Sequence, residues 1–80
     1  MIIAKVIDRV VSTRKSEALV GSKFLIVEPV QSKQGTLVAV DTIGAGVGDF
    51  VLVTLGSSAR MASTNEKAPI DAAVVGIIDE

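Results

Sequence analysis

The segment TLVAVDTIGAGVGDFVLVTL, residues 36–55, holds two short apolar runs on either side of a loop where Gly44, Gly46 and Gly48 alternate with Ala45 and Val47. Valine and threonine fork at Cβ, which favours the pleated surface of a strand over a helix. The pattern predicts strands at 36–42 and 50–55 joined by a tight glycine loop. Both faces of 50–55 are apolar, which predicts burial on both sides.

Working outward, residues 23–30 read as a strand that stops near Pro29, because proline cannot donate to a sheet ladder. A turn at 31–35 separates this strand from 36–42. Residues 2–11 form another strand, with Ile2, Ala4, Val6, Asp8 and Val10 on one face and Ile3, Lys5, Ile7, Arg9 and Val11 on the other. Both faces are half apolar, as expected of a barrel wall that also touches a neighbour. Residues 12–21 make a polar excursion ending at Gly21. Downstream, Ser57 or Ser58 is placed to cap a helix of one or two turns at 58–62. Residues 63–69 form a polar connection expected to be mobile. The last strand is 70–79, interrupted by Gly76, where a bulge or corner is expected. The result is a mostly β fold, a small five-stranded OB-like barrel with one short helix, formed by residues 1–80 as a single domain. A small sandwich-like sheet is the competing architecture.

The composition shows how so small a fold could hold. Eighty residues bury only ~60–65% of the surface of the unfolded chain, so the core alone is marginal. With no cysteine and no histidine, disulfides and structural zinc are unavailable. Yet 49% of residues are hydrophobic and mean hydropathy is +0.56. A neighbouring subunit is the simplest cover for that surplus. No apolar run approaches the ~20 residues of a membrane-spanning helix. Lys5, Asp8 and Arg9 interrupt the apolar start, so no signal peptide is read and the chain is expected in the cytoplasm. A net charge of −1 lacks the basic footprint of a nucleic-acid binder. The two aromatics, Phe24 and Phe50, read as core residues rather than a base-stacking platform.

Several motifs invite chemistry, and each has a stronger structural reading. The glycine loop has Asp49 rather than glycine at the sixth place of the dinucleotide fingerprint, where a carboxylate would repel phosphate, and a strand rather than a helix follows. Its glycines permit unusual dihedrals or close backbone packing. Glu17, Asp41, Asp49 and Asp71 have no histidine, cysteine or tyrosine to join them in acid–base work. Asp41 and Asp71 sit in or beside apolar strands and need Arg14, Arg60 or backbone amides as partners. Ser57 and Ser58 lack a companion base, so capping outweighs nucleophilic catalysis. Ser12-Thr13-Arg14-Lys15 is a local basic patch, either solvated or set against a carboxylate. No catalytic residue, cofactor site or metal site emerges.

Three segments, in this order and spacing, resemble the EutN/CcmL family of bacterial microcompartment vertex proteins. They are Ser12-Thr13-Arg14-Lys15 with Leu19-Val20-Gly21; Leu37 through Asp49; and Gly56-Ser57-Ser58-Ala59-Arg60 with Ile70 through Asp79. Asp49 stands where many members of that family have glutamate, which keeps the charge. The resemblance covers residues 1–80. It implies a homopentamer capping the fivefold corners of a polyhedral shell, beside hexagonal shell proteins, with a structural role and no catalysis. It does not imply nucleic-acid or membrane partners. Within such a ring, Gly44, Ala45, Gly46, Val47 and Gly48 are expected near the axis or the subunit seam. Glu17, Arg60 and Asp71 are the expected interface partners. The alternative is a small oligomeric OB-like module binding a metabolite or nucleic acid.

Overall fold

A computed structural model describes residues 1–12, 15–31, 35–63 and 67–79. Five strands, β1 (Ile2–Val10), β2 (Lys23–Pro29), β3 (Leu37–Asp41), β4 (Phe50–Leu55) and β5 (Ala72–Ile77), close into a barrel in the order β1-β2-β3-β5-β4. β3 and β5 run parallel, and the other neighbours are antiparallel. Closure leaves no sheet edge along the paired strands, which protects so short a chain from strand addition.

The inside is filled by small branched side chains. Val6, Leu25, Val27, Val51, Val53 and Val74 are fully buried, with Ala4, Ala39 and Ala45 between them. A second cluster lies outside the β3–β5 wall. Ala59 of the helix α1 (Ser57–Ala62) meets Ala68, Ile70, Val40 and Ala73 there. One 3₁₀ turn, Glu17–Leu19, stands in the polar excursion, and its Leu19 packs on the same cluster.

Several expectations need correction. Gly56, not a serine, is the N-cap of α1, and no side-chain cap bond forms. The chain enters the helix at φ +66°, a conformation open to glycine, so Ser57 and Ser58 fall inside the first turn. The last strand begins at Ala72 because Ile70 turns outward into the second cluster. Ala68 is buried, and residues 64–66 of the polar connection lie outside the described residues. β4 buries Val51, Val53 and Thr54 but leaves Phe50 and Leu55, at its two ends, exposed, so it is not buried throughout. Phe50 is therefore not a core residue, and Phe24 is half-buried. β1 carries a bulge between Val6 and Asp8, so the simple alternation through Val10 does not hold. β5 has its irregularity between Val74 and Gly76, opposite Leu52 and Val53, beside the glycine that suggested it. Thr13, Arg14, and residues 32–34 of the proposed turn lie outside the described residues.

Candidate subunit interface

The loop between β3 and β4 is fastened at four points. Asp41 Oδ1 accepts the backbone N–H groups of Ile43, Gly44 and Ala45 at 3.1, 3.0 and 3.3 Å. Asp49 Oδ2 accepts the Gly46 N–H at 2.8 Å. The Gly48 N–H donates to the Val6 carbonyl at 2.8 Å, and the Val6 N–H returns to the Asp49 carbonyl at 2.9 Å. The Thr42 hydroxyl donates to the Val74 carbonyl at 2.6 Å. Ala45 plugs the core, while Ile43 and Val47 are left exposed. The two aspartates thus satisfy loop amides rather than assemble a reactive site. The other oxygen of Asp41 lies 3.7 Å from Lys23 Nζ, an ion contact without a hydrogen bond. With Lys23 half in solvent, that contact contributes little.

Glu17, Arg60 and Asp71 are not brought into one cluster by hydrogen bonds or ion pairs. Glu17 is exposed on the 3₁₀ turn. Arg60 reaches along α1 so that its Nη1 donates to the Ile70 carbonyl at 3.4 Å. Asp71 follows directly and is exposed, its carbonyl held by the Gly56 N–H at 2.8 Å. The Asp71 carboxylate has no partner among the described residues.

The strand register reveals a feature that single residues in the sequence did not. The outer surface of the barrel carries two apolar walls. On the first, Ile3 of β1 pairs with Leu52 of β4, and Lys5 pairs with Phe50. Met1, Ile3, Pro29 and Leu52 line a groove there. Gly76 faces Leu52 across β4–β5 and keeps this wall flat, since a Cβ on it would stand 3.3 Å from Leu52 Cδ1. On the second wall, Ile26 pairs with Val38 and Phe24 with Val40. The second groove is lined by Leu19, Phe24, Val38, Ile70 and Asp71, among others. Ile3 is 40% exposed and Val38 is 54% exposed, although both lie within paired strands. Lys5 and Glu28, opposite each other in the register, divide the two walls. Alternation had suggested an apolar outer wall. Which residues stand together needs the barrel order.

The total accessible surface is 5306 Å². A monomer of 8.3 kDa would be expected to show roughly 4,600 Å². The two walls describe a subunit prepared for association rather than a reaction vessel. Among the described residues, no group of three or more acidic side chains could hold a metal ion. Among the described residues no helix is long and apolar enough to cross a membrane.

Comparison with known proteins agrees with this reading. The family model for ethanolamine utilisation protein EutN/carboxysome matches residues 1–79. The shell vertex protein GrpN of Rhodospirillum rubrum (strain F11) is 49% identical over 99% of this chain and 93% of its own. The carboxysome shell vertex protein CcmL of Synechococcus elongatus is 48% identical over 99% of this chain and 84% of its own. The solved structure of the pentameric microcompartment shell protein GrpN from Rhodospirillum rubrum superposes with a TM-score of 0.89 at 48% identity, covering 100% of this chain and 95% of that one.

Proposed function

The chain belongs to the EutN/CcmL family, and from that premise we propose that it is a structural subunit whose pentamer closes the fivefold vertices of a bacterial microcompartment shell. Its partners are further copies of itself and the hexagonal proteins that tile the flat faces. Its place is the shell in the cytoplasm. Relatives named as vertex proteins serve both microcompartments and carboxysomes, so the shared role is geometric rather than chemical.

The observation that carries this reading is the pair of dissimilar apolar walls on one small barrel. A ring built head to tail places one surface of each subunit against a different surface of the next. The first wall, around Ile3 and Leu52, and the second, around Ile26 and Val38, supply those two surfaces. Burying them removes apolar area from water at about 25 cal/mol per Å², which supplements a core too small to be secure alone. We place Gly44–Gly48 at the ring axis or the seam. The support is a loop already anchored to β1, with Val47 turned outward and Gly46 exposed beside it. Glu17 and Asp71 enter the seam as exposed carboxylates. Arg60 acts by fixing the Ile70 carbonyl beside Asp71.

A sheet of hexagons lies flat and cannot close without fivefold corners. Co-expression with hexagonal shell proteins therefore should give closed polyhedral shells in electron micrographs. Omitting this chain should give open sheets, tubes or shells with gaps at the corners. Shells that close equally well without any vertex protein would overturn the proposal.

A further inference from the structure

Each of the two walls is bordered by a charge, and the two charges have opposite sign. On the first wall it is Lys5, whose Nζ lies 5.8 Å from the centroid of the Phe50 ring. Glu28 faces Lys5 from β2, yet no ion pair joins them. The lysine leans toward β4 and so toward the first wall. On the second wall it is Asp71, exposed at the rim of the groove formed with Leu19, Val38 and Ile70. Its carboxylate has no partner among the described residues, and its backbone is held by Gly56.

We infer that the ring seam is registered by an ion pair between Lys5 of one copy and Asp71 of the next. This rests on the head-to-tail pentamer proposed above. If the two walls close on each other, either charge buried alone would be strongly unfavourable. Paired, they offset that cost and reject a shifted register. Because the contact is heterologous, every seam of the ring carries the same pair.

The test is a mutant cycle read by the concentration at which the pentamer dissociates. Lys5→Met keeps the stem over Phe50, and Asp71→Asn keeps the shape of the carboxylate. Each single variant should weaken assembly by about tenfold or more. The double variant should fall well short of the product of the two losses. The charge-exchanged protein, Lys5→Asp with Asp71→Lys, should assemble within about threefold of the parent. Circular dichroism of each variant checks that the barrel persists. Independent, multiplicative losses, or singles without effect in a parent that is pentameric, overturn the pairing. A parent that is not pentameric overturns the reading beneath it instead.

Discussion

At Asp41 one carboxylate oxygen gathers three backbone amides that would otherwise be left without partners at the end of β3. Its side chain is 1% exposed. Asp41→Ala should therefore cost about 2–4 kcal/mol in urea unfolding, since hydrogen bonds to a charged group are worth about 1.5–3 kcal/mol and the amides would be stranded. Asp41→Asn keeps an acceptor oxygen and should cost less. The neighbouring glycines separate two reasons for being glycine. Gly48 has φ +97° with open space where a Cβ would lie, so Gly48→Ala should cost about 1–2 kcal/mol of backbone strain. Gly46 has no such backbone conformation, and a Cβ there would meet only Asp49 Oδ2 at 3.8 Å. Gly46→Ala should leave subunit stability within about 0.5 kcal/mol. If the loop meets a neighbour at the axis or seam, that variant should still fail to form rings, as size-exclusion chromatography would report. The need of Asp41 for amide partners was legible in the sequence. The cap at Gly56 was not, because serine is the better cap by propensity and only the positive φ of the entry selects glycine.

At the scale of elements, all five strands and the helix were legible from β-branched runs and glycine punctuation. Their ends shifted where tertiary packing overrode pattern. Ile70 looked like strand and became part of the cluster under α1. The bulge in β1 has no sequence signal, since Ile7 continues the apolar pattern, yet it changes which residues of the upper strand face outward. For the same reason Phe50 was misread. The phase that buries Val51 and Val53 exposes it. The walls give a prediction at this scale. Val38→Asp and Ile3→Asp should each alter the stability of the isolated barrel by less than about 1 kcal/mol, because both sites are open in the single chain. Each should abolish rings, because it places an unpaired carboxylate in a dry seam. Chemical denaturation of the separated subunit and native mass measurement together check the pair of outcomes. Ring formation that survives both substitutions would move the seam elsewhere.

The whole molecule is a barrel with a small core and a large apolar outside, and its stability is tied to that outside. Because association draws on the folded subunit, the unfolding midpoint should rise with chain concentration. Thermal unfolding across a hundredfold dilution series would show this as a shift of several degrees, and an unshifted midpoint would mean that the barrel stands alone. Fold class and the need for a partner were readable from composition and alternation. The number five was not, because alternation and hydropathy report that a surface is covered, not the angle at which copies meet. It entered with the resemblance and is supported by pentameric relatives of the same fold. The most direct measurement is native mass spectrometry of the purified protein. A dominant species at five times the 8.3 kDa chain is the predicted result, and a monomer that persists across a wide concentration range would contradict the account.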